Sequence, residues 1–174
     1  MQIELLEVIS RENKEIRMEV NIEADDFLFQ MDSLPITKKS PLGLHIQNTD
    51  GHKLLIEANG VVEILAACDR CLTDVPVTIE LDFSKEFVIE DQKLVYEDMD
   101  DAEYIEGQIL DTDRLVYDEI LVNWPMKVLC KDDCKGICNK CGINLNLQDC
   151  TCDRTVVDPR MAAIQDIFNK FKEV

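Results

Sequence analysis

Eight cysteines carry most of the chemistry that this 174-residue sequence offers. Six follow one another as Cys130-x3-Cys134-x3-Cys138-x2-Cys141-x8-Cys150-x-Cys152, and a separate C-x2-C pair, Cys68-Asp-Arg-Cys71, stands well upstream. The N-terminus, MQIELLEVISRENKEIR, has no apolar stretch behind a basic start, so no secretory signal is expected and the chain is read as cytoplasmic. In that setting clustered cysteines point to metal or redox chemistry before disulfides. The local pattern favours metal. In Cys138-Asn-Lys-Cys141-Gly142 two thiolates can face one ion from a tight turn, and Gly142 can take the positive φ that turns backbone N–H groups toward sulfur. Cys150-Thr-Cys152 can close the set. Cys138, Cys141, Cys150 and Cys152 then make the four-thiolate complement of a structural zinc ion. Cys68, Cys71, Cys130 and Cys134 remain as a second set, which would staple the sheet region to the C-terminal segment. One Zn2+ is expected, and two if both sets close.

Other readings of the same cysteines are weaker. The spacing matches neither common ferredoxin pattern, which disfavours an iron–sulfur cluster. A dithiol redox pair at Cys68 and Cys71 would normally open a helix, whereas Leu72-Thr-Asp-Val-Pro76 leads toward a strand. Ordinary buried thiols account for one pair and not for eight. Catalysis finds little support elsewhere. His45 and His52 lie in strand or turn context with no nucleophile beside them, and neither a Gly-rich phosphate loop nor G-x-S-x-G is present. A four-sulfur zinc site leaves no position open for water. The acids between Glu97 and Glu106 lack the order of a calcium loop. No enzyme is expected.

The elements that must position the cysteines read as α+β. Ile16, Met18, Val20 and Ile22 alternate with polar residues, as do Leu42, Leu44 and Ile46, and Val75, Val77, Ile79, Leu81 and Phe83. Phe87 to Ile89 extends the last run after a bulge or bend. Asn48-Thr49-Asp50-Gly51 and Asn59-Gly60 are turn signals. The spacing predicts an antiparallel β-sheet or small barrel in the N-terminal half. Glu90 to Gln108 reads as a mobile acidic loop. A helix is predicted over about 111–122, capped by Asp111 or Asp113, with Val116, Ile120 and the pair Tyr117–Leu121 apolar and Pro125 ending it. A zinc-knuckle segment follows. A C-terminal helix then starts at Asp158-Pro159 and packs through Met161, Ile164, Phe168 and Phe171. The expected division is a mainly β domain, 1–125, and a Cys-rich segment with its helix, 126–174. No run approaches the roughly 18 apolar residues of a membrane span.

Charge narrows the partners. The chain has 36 acids and 18 bases, a formal net charge of −18, with 18 acids against 5 bases in residues 61–129. Nucleic-acid affinity comes largely from cations that neutralise phosphates, so wholesale RNA or DNA binding is disfavoured and a basic partner suits better. Residues 130–174 balance 7 acids with 7 bases.

At the cysteines the sequence resembles the YceD family, named for accumulation of large-subunit ribosomal RNA, in its cysteine-bearing branch. The matching stretches are Cys68-Asp-Arg-Cys71-Leu72 and Asn123-Trp-Pro-Met-Lys-Val-Leu-Cys130. They continue through Cys134-Lys-Gly-Ile-Cys138-Asn-Lys-Cys141-Gly-Ile-Asn-Leu-Asn146, Cys150-Thr-Cys152 and Asp158-Pro-Arg-Met-Ala162. The resemblance implies an accessory role in 23S rRNA accumulation or processing, with no catalytic residue to carry over. Because some members lack the cysteines, it also implies that metal stabilises this branch and is not the shared activity. The family's genes often neighbour one for a small basic large-subunit ribosomal protein. The expected partner is therefore a basic ribosomal protein or biogenesis factor, held by acids around 90–119. A zinc-knuckle RNA-binding module is a second expectation, with Lys131, Lys135, Lys140, Arg154 and Arg160 as its footprint, although no aromatic interleaves with them for base stacking. A thiol redox switch is a third.

Overall fold

The computed structural model describes residues 1–95 and 103–152. It divides into two compact units, residues 1–68 with 73–128, and residues 69–72 with 129 onward. The expected C-terminal helix lies outside the described residues, and so do Glu97, Asp98, Asp100, Asp101, Arg154 and Arg160.

The first unit is a curled antiparallel sheet with a helix packed on it. Its strands are β1 (Gln2–Glu4), β2 (Glu15–Val20), β3 (Asp26–Phe29), β4 (Asp32–Lys39) and β5 (Leu42–Thr49). They continue as β6 (Lys53–Ala67), β7 (Asp74–Glu90), β8 (Lys93–Val95), β9 (Ile105–Glu106) and β10 (Ile109–Asp111). A short helix, α1 (Leu6–Ile9), follows β1, and α2 (Thr112–Asn123) follows β10. One sheet runs β2-β5-β6-β4-β3, with β7 on the other side of β6 and β8 beyond it. A second, three-stranded sheet runs β1-β10-β9. The predicted alternation sets the faces: Leu42, Leu44 and Ile46 are buried, as are Ile79 and Leu81, while Glu80 and Asp82 are exposed.

β6 and β7 organise this unit, because they pair from Lys53↔Val88 to Ala67↔Asp74 without a slip. Three sequence expectations change here. Asn59-Gly60 is not a turn but lies inside β6. The reason is a change of neighbour. β6 pairs with β5 as far as Asn59 and with β4 from Val62, and at Gly60 an added Cβ would stand 3.2 Å from the Leu42 side chain. Glycine serves close approach here, not reversal. No bulge interrupts β7 before Phe87. The supposed loop 90–108 contains β8 and β9, and Leu94, Tyr104 and Ile105 within it are buried in the core while Val95 is exposed.

The helix near 111–122 is present as α2. Asp111 caps it by accepting from the N–H groups of Asp113 (3.1 Å) and Arg114 (3.2 Å), and Trp124 leaves it in extended geometry before Pro125. Leu115, Val116 and Ile120 form its buried face, while Leu121 points outward. Glu119 pairs with Lys85 of β7 at 2.5 Å. Phe27 of β3 is buried against Tyr117 and Trp124, with ring centroids 5.2 Å away in both cases. No helix among the described residues is long and apolar enough to cross a membrane.

Candidate metal centres

In the C-terminal segment the chain reverses tightly around Cys138. Ile137 and Asn144 form an isolated antiparallel bridge, the Cys138 N–H donates to the Ile143 carbonyl (2.8 Å), and the Gly142 N–H donates to the Cys138 carbonyl (2.8 Å). Gly142 has φ of +72°, the left-handed conformation that glycine adopts without a Cβ clash. Backbone N–H groups of Cys141 and Lys140 reach the Cys138 sulfur, and these contacts, first among several, bring its pKa down to about 6. Cys152 moves the other way, pushed up to about 12, chiefly by its hydrogen bond to the Cys141 sulfur and then by burial and the charge of Cys141. Four sulfurs this close cannot all ionise without a cation between them. Cys138, Cys141, Cys150 and Cys152 all have Sγ atoms within 4.8 Å of one another.

The second group begins where β6 ends. Cys68 donates its N–H to the Thr73 carbonyl (2.8 Å), and between them Asp69–Leu72 turns with Leu72 at φ of +59°. The Arg70 carbonyl accepts from the Ile137 N–H (3.0 Å), and the Arg70 guanidinium donates to the Cys134 carbonyl (2.9 Å). Gly136, at φ of +77°, passes so near Arg70 that a Cβ there would stand 3.0 Å from the Arg70 carbonyl oxygen. Cys71 and Cys130 have sulfurs 3.5 Å apart, and the sulfurs of Cys68, Cys71, Cys130 and Cys134 again lie within 4.8 Å of one another.

A thiolate–zinc bond of about 2.3 Å in tetrahedral geometry spaces sulfurs by about 3.8 Å. Both groups approach that spacing, and none of the eight cysteines forms a disulfide. Each group of four could hold a metal ion. Cys68, Cys71, Cys134 and Cys138 are buried, Cys150 and Cys152 half-buried, and Cys130 and Cys141 exposed. Both histidines lie outside these groups.

Sequence reasoning gave Asn146 and Arg70 no part in these groups. The Asn146 amide donates to the Cys134 sulfur (3.2 Å) and its carbonyl oxygen accepts from the Lys135 N–H (2.9 Å). Asn144 steadies it by accepting from both the Asn146 N–H and its side-chain amide (2.9 Å each). An Asn-x-Asn following Cys-Gly by two residues was the available signal, since short amides favour such local bonds. Arg70 was marked only by lying between two cysteines.

Fold and site together define an antiparallel β protein with two four-cysteine groups. Its sequence matches the family described as "Large ribosomal RNA subunit accumulation protein YceD" over residues 56–168. The chain belongs to that family. It is also similar to the uncharacterized protein YlbN of Bacillus subtilis (strain 168), at 28% identity over 112 residues, covering 64% of this chain and 64% of that protein. The chain thus spans less than two thirds of that relative's length. No solved structure matches.

Proposed function

We propose that this protein is a non-enzymatic accessory factor in large ribosomal subunit biogenesis. It supports rRNA accumulation or processing through protein contacts, by holding a basic ribosomal protein or biogenesis factor against an acidic surface. The family supports the process. The observation that carries the mechanism is charge: a net of −18, with 18 acids against 5 bases in residues 61–129. A polyanion of this kind repels rRNA and attracts the cationic proteins that bind it.

In this reading both four-cysteine groups hold zinc: Cys138, Cys141, Cys150 and Cys152 one ion, and Cys68, Cys71, Cys130 and Cys134 the other. All-thiolate sets of four suit zinc in a closed structural role, and the N–H groups at Cys138 and the Asn146 amide at Cys134 supply the outer hydrogen bonds that such sulfurs favour. Iron in an all-sulfur set is the competing assignment.

Binding of the metal-loaded chain to purified large-subunit ribosomal proteins and to 23S rRNA fragments, across a salt series, tests the mechanism. Basic proteins should bind more tightly, with affinity falling as salt screens exposed charge. Tighter binding to RNA would transfer the function to the Cys-rich segment, where Lys131, Lys135 and Lys140 lie within the described residues.

A further inference from the structure

Among the described residues β7 is paired along only one side for most of its length. β6 follows it from Asp74 to Val88, whereas β8 meets it only at Val88–Glu90. Among the described residues no strand pairs with the other side of β7 between Asp74 and Glu86. In an antiparallel ladder the N–H and C=O of one residue point to the same side, and that side alternates along the strand. The Ile89 N–H donates to the His52 carbonyl, in the residue just before β6, so the odd-numbered residues address β6. With no slip in the register, Pro76, Thr78, Glu80, Asp82 and Ser84 turn their backbone groups outward. Pro76 agrees, because a residue without N–H is tolerated where the ladder asks for no donor.

These even-numbered residues also carry the exposed side chains, while Ile79 and Leu81 between them are buried. The outward edge therefore offers four N–H donors, at 78, 80, 82 and 84, flanked by the carboxylates of Glu80 and Asp82, and Glu57 stands opposite Ser84 on β6. Exposed edges are commonly blunted with lysine. Residues 74–84 contain no lysine or arginine.

We propose that the outer edge of β7 is a docking strand. An extended basic segment of a partner protein adds to it as the next strand, with Lys or Arg at alternate positions facing Glu80 and Asp82. This rests on the reading above that the partner is a basic protein, and it names the surface and the conformation in which that partner is held. Main-chain hydrogen bonds supply affinity in strand addition, and alternate side chains supply selectivity. Opposite charges across a strand pair stabilise it and like charges oppose it. A second copy of β7 paired about Leu81 would set Glu80 against Asp82, which disfavours self-pairing. RNA has no backbone that continues a β-ladder.

The test uses the full metal-loaded chain and two probes: an eleven-residue peptide alternating lysine and valine, and large-subunit proteins extracted from purified subunits. Hydrogen exchange is followed at β7. The alternating peptide should slow exchange at Thr78, Glu80, Asp82 and Ser84. The same composition with its lysines in one block should not. Thr78→Pro, which leaves charge unchanged and removes one outward donor, should weaken binding about tenfold. Persisting protection at Ile79 and Leu81 shows whether that variant keeps its β6 ladder; if it does not, a peptide N-methylated on its pairing edge makes the same cut from the other side. Glu80→Gln with Asp82→Asn should weaken binding and flatten its salt dependence. Absence of peptide binding, unchanged exchange at 78–84 with peptide bound, or tight binding by Thr78→Pro or by the N-methylated peptide overturns the assignment. Ribosomal proteins that bind without protecting β7 sink the edge and leave the basic-partner reading standing. If they fail to bind while the alternating peptide protects β7, the edge stands as a strand-docking site and the ribosomal reading falls.

Discussion

At the scale of single residues, Cys138 is where the proposed metal can be tested through folding. Its sulfur is met by the N–H groups of Cys141 and Lys140, and its own N–H closes the turn on Ile143. Replacing Cys138 and Cys141 by serine should remove one equivalent of metal and release amide protection around 136–145, measured by metal analysis and hydrogen exchange, because ligation energy is folding energy in such segments. A double variant that keeps protection there would remove the structural role from the metal. His45 makes a different prediction. Its Nδ1 lies 2.9 Å from Glu57 and its Nε2 2.9 Å from Glu15, so the imidazolium donates to both, and these bonds, Glu57 first, raise its pKa. Glu15 is lowered in turn, first by its bond to His45. A raised histidine stabilises fully below its unfolded value of about 6.5, and that contribution disappears as pH rises through the folded value. The Glu15 contribution is present above the unfolded carboxyl range and is lost as pH falls. Stability should therefore decline above about pH 6.5 in a step that His45→Gln abolishes. Denaturation midpoints against pH, with an NMR titration of the ring, check it.

At the scale of elements, α2 shows how sequence signals become structure. Asp111→Ala removes the acceptor for two N–H groups and should cost about 1 kcal/mol in chemical denaturation. Phe27→Ala empties a fully buried ring site against Tyr117 and Trp124 and should cost about 3–5 kcal/mol, read from Trp124 fluorescence. The cap, the buried Val116 and Ile120, and the stop at Pro125 were legible because each is a local pattern. The alternating strands from Leu42 and from Val75 were legible for the same reason. Asn59-Gly60 was misleading because a turn dipeptide and a close-packing glycine look alike until the neighbouring strand is known. β8 and β9 were hidden because two or three apolar residues among many acids give no period. Of the four-cysteine groups, the Cys138–Cys141 turn followed from spacing alone. That Cys71 lies beside Cys130 and Cys134 depends on contacts between residues far apart in the chain, such as those of Arg70 with Ile137 and Cys134, which no spacing encodes.

At the scale of the whole molecule, the two units differ in what holds them. The first has a continuous core from Ile3 to Ile120, with Leu42, Ile56, Ile64, Leu81 and Leu110 fully buried and no cysteine in the cluster. In the second, the buried apolar side chains among the described residues are Cys71, Cys134, Cys138 and Leu145. Three of these four are metal-ligand candidates, so among the described residues of this unit the buried side chains are largely the cysteines themselves, and a bound ion would tie them together. Stripping metal with a strong chelator under reducing conditions should therefore act unevenly. Amides at 69–72 and 129–152 should lose protection, while those of β5, β6 and β7 keep it and the β-sheet circular dichroism changes little. Adding back zinc should restore the lost protection with the release of protons from thiols. Retained protection in the cysteine segment after complete metal removal would mean that hydrogen bonds such as those of Asn146 and Gly142 suffice by themselves. Simultaneous loss from both units would mean that they unfold as one cooperative body, and that the core of the first is not self-sufficient.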